Sequence, residues 1–332
     1  MNTDPNATMA SDSGFLHAIL LDGRGGGRVL GPEEVDAWRP EDGVLWLHLD
    51  ALATEARARL EADADLPAVA RDVLLARETR PRLTRLENGL LLVLRGVNLN
   101  AGADPSDMVS IRLFLDPHRV VSTSRRRLLA VQDASGEIRE GVGPTTPGGL
   151  VEGLAGRLLE RMAPTLERLE DAIEASELEC DTAGAKIALG DLANLRRRAI
   201  ALRRHLVPQR TVLHGLHASR LEDWGPEGMQ ETDMLADTVT RYVEELDELT
   251  ERAEVTHQLV AAKQAELLNE RMLSLAILTA LFLPLGLLVG LLGINVGGMP
   301  GVGSPYGFWL ATALVVAIGL LEVWLLRRKR WW

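Results

Sequence analysis

The chain is 332 residues long and carries 47 acidic against 36 basic side chains, a formal charge of −11 that argues against a nucleic-acid partner. Its one cysteine, Cys180, excludes an intrachain disulfide and suits a reducing cytoplasm. This length leaves room for one or two soluble domains beside any membrane segment.

Residues 1–13 are small and polar and read as a disordered N-terminus with no signal peptide. An α/β domain is expected over 14–140. Val44 to Leu49, Gly89 to Val97, Met108 to Leu115 and Arg119 to Thr123 read as strands, by alternation or as buried apolar runs. Asp116-Pro117-His118 supplies turn chemistry between the last two, and Ala51 to Leu60 and Pro67 to Arg77 carry helical spacing. Gly141 to Gly149, with two prolines and four glycines, reads as a linker.

Beyond Leu150 the pattern is helical. Leu150, Leu154, Leu158, Met162, Leu166, Leu169 and Ile173 recur every three or four residues, the first arm of a helical hairpin over 150–221. A second helix is expected from Lys186 to Ser219. The third, over 228–293, repeats Leu235, Val239, Tyr242, Leu246, Leu249, Ala253, Thr256 and Val260 as a coiled-coil seam does. No proline or glycine interrupts it between Met229 and Leu283.

The end of that helix is apolar. Met272 to Leu292 holds 21 uncharged residues, and Phe308 to Leu326 holds 19 with only Glu322 charged. Each is long enough to cross a hydrocarbon layer of ~30 Å. Two transmembrane spans are therefore expected at 272–293 and 307–326, joined by the loop 294–306. The basic tail 327–332 follows, beginning Arg327-Arg328-Lys329-Arg330, while the loop has no charge. The positive-inside rule then puts both termini in the cytoplasm. A two-span hairpin cannot enclose a water-filled path alone, so a pore requires several copies around an axis.

The loop begins Gly293-Ile294-Asn295-Val296-Gly297-Gly298-Met299-Pro300-Gly301. Pro284 stands eleven residues before Asn295, Gly290 five before it, and Met299-Pro300 four and five after it. This arrangement resembles the CorA family of divalent-cation channels and transporters, whose signature is Gly-Met-Asn at the outer end of the first span; Ile294 replaces the methionine. Glu78-Thr79-Arg80-Pro81-Arg82 and Arg95-Gly96-Val97-Asn98-Leu99-Asn100 look like its ZntB zinc-transporter branch. The resemblance runs from Leu16 to Trp331. It implies a funnel-shaped homopentamer in the bacterial inner membrane, an α+β cytoplasmic domain followed by long helices and a two-span hairpin, with span 1 lining the pore. Magnesium-type members carry a glutamate after the loop Met-Pro, where this chain has Gly301, so Zn²⁺ is the expected cargo, with Co²⁺, Ni²⁺ and Mg²⁺ as alternatives and no permanently bound cofactor.

Five copies of Asn295 would ring the axis with amide oxygens that accept hydrogen bonds from a hydrated ion; the plainer reading is a helix cap. Helical spacing back from Asn295 reaches Leu291, Leu288, Leu281 and Ser274. The family-guided comparison selects Met272, Leu275, Thr279 and Leu283 instead. Pro284 is either a kink near a gate or a packing kink. His214 and His217, at i and i+3, supply two of the four ligands that zinc prefers and make a weak metal candidate. Glu322 is a candidate proton-coupling group, with an ion pair to Arg327 as the plainer reading. The twelve carboxylates from Glu222 to Glu254, against Arg241 and Arg252 alone, form either a cation-enriching surface or a solvated face. Arg196-Arg197-Arg198 and Arg203-Arg204 are expected to pair with acids on the adjacent helix. The sequence shows no catalytic set and no nucleotide-binding motif, which leaves a membrane-anchored coiled-coil scaffold as the alternative from another class.

Overall fold

The computed structural model describes residues 14–181, 189–218, 226–293 and 303–328. Two compact units divide it, one up to His257 and one from Gln258.

Among the described residues of the first unit seven strands form one sheet. They are β1 Phe15–Leu21, β2 Gly27–Val29, β3 Leu45–Asp50, β4 Arg82–Leu86, β5 Gly89–Gly96, β6 Val109–Leu115 and β7 Arg119–Ser124, in spatial order β2-β1-β3-β7-β6-β5-β4. Only β3 and β7 run parallel, Leu45 opposite Arg119 and Asp50 opposite Ser124. The other neighbours are antiparallel.

Both faces of the sheet are covered, which is why its central strands read as unbroken apolar runs. Leu91 and Val93 of β5 point to one side, with Phe114 and Val121. There they meet α1 Pro32–Ala37, α2 Thr54–Ala62 and α3 Ala68–Leu75, through Val35, Ala56, Leu60, Ala70, Val73 and Leu74. Leu90, Leu92 and Leu94 point to the other side and join a larger core. Its helices are α4 Leu129–Glu140, α5 Pro147–Glu160, α6 Ala163–Asp181, α7 Leu189–Ala218 and the first part of α8 Pro226–Gly293. The sheet and the helical arms thus share a single core.

Several boundaries differ from the sequence reading. The strands β1, β2 and β4 went unrecognised. The apolar stripe from Leu150 to Ile173 is two helices, because α5 stops at Glu160 and α6 begins at Ala163. Pro164 accounts for the break: it lacks an N–H, and its ring would strike the carbonyl of Glu160 in a continuous helix. The expected linker to Gly149 ends earlier, since Thr146 caps α5 by accepting a hydrogen bond from the Gly149 N–H at 3.0 Å. Gly141, at φ 81°, ends α4 in the left-handed region where a Cβ is disfavoured.

The seam read on α8 is a packed face. Val239, Tyr242, Leu246, Leu249 and Ala253 are buried against the larger core. The second unit holds the remainder of α8 and α9 Gly307–Arg328.

Candidate functional site

Both α8 and α9 contain stretches long and apolar enough to cross a membrane. Aromatic rings flank the second: Phe308 and Trp309 pack edge to face at 5.7 Å near its start, and the Arg328 guanidinium lies 5.3 Å from the Trp324 ring near its end. Such amphipathic groups favour the membrane–water boundary.

The two sides of each helix differ in how far they are covered. On α8, Ile277, Leu281, Pro284, Leu285 and Leu288 are partly covered, and on α9 the partly covered positions are Gly307, Ala311, Val315, Ile318, Gly319, Glu322, Val323 and Leu326. Gly319 marks where the helices come close: a Cβ built there would stand 3.7 Å from Leu285 Cδ1. At ~100° per residue, Met272, Leu275, Thr279 and Leu283 lie on the opposite side of α8. Met272 is 62% exposed, Leu275 65% and Leu283 65%. The exposed Thr279 donates its hydroxyl back to the Leu275 carbonyl at 2.9 Å, and Ser274 does the same to Glu270 at 3.0 Å. No backbone carbonyl has to open for these hydroxyls to be satisfied, and each oxygen keeps lone pairs free.

The two residue sets read from the sequence therefore separate in space. Leu281 and Leu288 of the spacing-derived set sit among the positions partly covered within the unit. Met272, Leu275, Thr279 and Leu283 sit together on the bare face. Gly293 is the last residue of α8 and is exposed; Ile294 and Asn295 lie outside the described residues, as do 296–302 and 329–332. Pro284 lies inside α8 without ending it. Glu322 is on the covered face, and its Oε2 is enclosed without a hydrogen-bond partner among the described residues.

In the first unit the metal candidates fare differently. His214 is exposed on α7, and the side chain of His217 lies outside the described residues. No group of three or more His, Cys, Asp or Glu side chains capable of holding a metal occurs among the described residues. The acidic face of α8 is partly neutralised from neighbouring helices. Arg203 pairs with Asp247 and Arg196 with Glu254 at 2.9 Å, as the sequence led one to expect for this arginine cluster. Arg198 instead reaches Asp104 at 3.2 Å, in the segment between β5 and β6. Arg252 grips Glu177 with two nitrogens at 3.2 and 2.7 Å and holds that carboxyl below its usual range. Glu245 remains in excess negative charge: burial, then the Glu170 carboxylate, raises its pKa.

The sequence reading also missed two polar clusters. In the sheet, the buried His48 lies between Ser122 Oγ at 2.9 Å and Ser124 Oγ at 3.1 Å, and Trp46 Nε1 donates to the same Ser122 at 3.0 Å. The other is a pocket lined by arginines from several segments. Both gather residues distant in sequence, and no local motif announces either.

Comparison with known proteins matches residues 41–328 to the family described as CorA-like Mg2+ transporter protein. The divalent cation transporter CmaX of Pseudomonas aeruginosa is 40% identical over 325 residues, 96% of this chain and 97% of that one. The zinc transport protein ZntB of Pectobacterium atrosepticum is 34% identical over 321 residues, 96% of each. The structure of full-length CmaX superposes with a TM-score of 0.85 at 39% identity, covering 97% of this chain and 99% of that one.

Proposed function

Because the chain belongs to the CorA-like Mg2+ transporter family, we propose that it moves divalent cations, Zn²⁺ foremost, across the bacterial inner membrane. The path runs along the axis of a homo-oligomer, a pentamer with the first unit and both termini in the cytoplasm. The observation that carries this reading is the two-faced character of the membrane part of α8. One side is partly covered in a single chain, with Gly319 of α9 close to Leu285. The other is bare, uncharged and lined by Met272, Leu275, Thr279 and Leu283. A bare face on a helix that already has a partner is available to line an axis when copies converge.

At the outer end the chemistry favours a hydrated ion. Gly293, Ile294 and Asn295 form the mouth, and a ring of Asn295 amides offers neutral oxygens to the waters of a divalent ion. The C-terminal end of α8 adds partial negative charge. Below it, the largely apolar lining forms a constriction that closes by losing its water. Gly301 provides no carboxylate to gather cations, which favours zinc over magnesium uptake. Inward movement of M²⁺ gains about 4.6 kcal/mol per 100 mV of inside-negative potential, so influx needs no added energy source. The zinc transport of ZntB, 34% identical over almost the whole chain, supports the choice of ion.

The test is metal uptake into liposomes containing the purified protein, compared across Zn²⁺, Co²⁺, Ni²⁺ and Mg²⁺ with and without a pH gradient. Saturable zinc uptake that drops at least about tenfold in Asn295→Ala is expected. Uptake by neither protein, or equal uptake by both, overturns the reading.

A further inference from the structure

Six segments of the first unit surround an open pocket of about 1070 Å³ at the end of the sheet where the parallel strands β3 and β7 finish. Seven arginines line it, against two carboxylates. In a chain with a net charge of −11, this concentration of cations requires an explanation.

Arg112 of β6 is central. It is 2% exposed, and its Nη2 donates to the Ala76 carbonyl at 2.9 Å. Its Nε and Nη1 are enclosed and have no hydrogen-bond partner among the described residues. The same holds for Nε of Arg95 on β5 and Nη1 of Arg125 just beyond β7. Arg95 is anchored by its other nitrogens, to the Met108 carbonyl at 2.8 Å and the Thr79 carbonyl at 2.6 Å. These bonds to main chain fix the guanidinium planes without neutralising them.

The carboxylates do not fill the need. Asp107 is held by Arg126 at 2.6 Å, and Glu78 is exposed. Burial, then the charges of Arg125 and Arg95, lowers the pKa of Arg112 to about 10. His205 of α7 is lowered to about 4 by burial and by Arg95, Arg204 and Arg80, so at neutral pH it adds no charge. Enclosed guanidinium donors without acceptors are costly, and planar N–H forks match the oxygens of phosphate groups.

We propose that this pocket binds a soluble anion carrying a phosphate or pyrophosphate group, with Arg95, Arg112 and Arg125 donating to its oxygens and Arg204 adding charge from α7. The volume exceeds what a bare phosphate needs and admits an organic remainder. Apart from His205 no ring lines the pocket, so recognition rests on charge and not on stacking. The ligand bridges the sheet and α7, which are already tied together by the Arg95 N–H donating to Gln209 Oε1 at 2.7 Å. Two of the segments that resemble the zinc-transporter branch, Glu78 to Arg82 and Arg95 to Asn100, contribute residues here.

Calorimetric titration of the full-length protein in detergent tests this, with inorganic pyrophosphate and inorganic phosphate as probes in chloride-free buffer stripped of divalent metal. Saturable binding is expected at one site per chain, tighter for pyrophosphate than for phosphate and weakening as ionic strength rises. Arg125→Gln, which removes a partly exposed side chain, should bind about tenfold more weakly, and Arg112→Gln should bind more weakly still. Arg28→Gln, at an exposed arginine outside the pocket, should match the parent chain. If Arg112→Gln fails to fold, Arg125→Gln and Arg204→Gln carry the test. Absence of saturable heat up to about 5 mM pyrophosphate overturns the proposal. A carboxylate of a second copy already occupying the donors would give that result. Unchanged affinity in Arg125→Gln and Arg204→Gln together also overturns it.

Discussion

Acidification should unlock the first unit through His48 and His17, by an amount the sheet's geometry sets. His48 is 2% exposed and lies between the hydroxyls of Ser122 and Ser124. Burial, then the neighbouring His17, lowers its pKa to about 3. His17, whose Nδ1 is 3.2 Å from Ser135 Oγ, is lowered to about 4 by burial and then by Arg139. Its ring centroid is 6.2 Å from that of His48. Both folded values lie below the 6.5 of a free imidazole. As pH falls through 6.5 the unfolded chain takes up protons that the folded chain refuses. Stability is therefore complete above pH 6.5 and is lost progressively down to pH 3–4. At pH 5 the solution lies about 1.5 units below the unfolded pKa of each imidazole, which at ~1.4 kcal/mol per unit costs about 2 kcal/mol per residue. The assay is urea unfolding of the detergent-solubilised chain at pH 7.5 and 5.0, followed by tryptophan fluorescence. Trp46 stacks 6.0 Å from His17 and reports on the cluster. Between the two pH values His48→Gln should lose about 2 kcal/mol less stability than the parent chain does. Equal losses in both chains would refute the reasoning.

Two further outcomes follow from close backbone approaches. A Cβ at Gly89 would fall on the Leu115 carbonyl oxygen of the paired strand, well inside van der Waals contact. Gly89→Ala should therefore destabilise the sheet by about 2–3 kcal/mol in the same unfolding assay at pH 7.5. At Gly319 a lone Cβ has room, 3.7 Å from Leu285, but a longer side chain must push α9 away from α8. Gly319→Ala should keep liposome metal uptake within about twofold, and Gly319→Leu should lose about tenfold or more.

Much of this molecule could be read from residue order because its strongest signals are local. The strands β3, β5, β6 and β7 are short apolar runs bounded by turn residues, and the uncharged stretches of α8 and α9 declare themselves by length alone. What escaped is what depends on distant partners. β1 resembles an ordinary apolar run until β3 pairs with it, register Ile19 to Trp46, and β2 is three residues after a glycine-rich turn. The break at Pro164 was hidden because the leucine spacing continues through it. Within the first span leucine occupies every side of the helix, so composition alone could not choose between two candidate linings. Only the covering of Leu281 and Leu288 separates them from Leu275 and Leu283. The arginine pocket draws on β5, β6, α7 and three connecting segments, and no spacing rule joins those. Its signal in the sequence was indirect: several arginines in a chain whose net charge is acidic.

The most direct test of an axial path lined by the bare face of α8 is cadmium block of zinc flux through single introduced cysteines, in a Cys180→Ser background. Thiolates of converging copies should capture Cd²⁺ when the residue faces the axis. Thr279→Cys should then be blocked by Cd²⁺ and recover on addition of a chelator, while Ile277→Cys, on the covered face, and the cysteine-free background should not respond. Block of Ile277→Cys with Thr279→Cys unaffected, or the same response in both, would contradict the account.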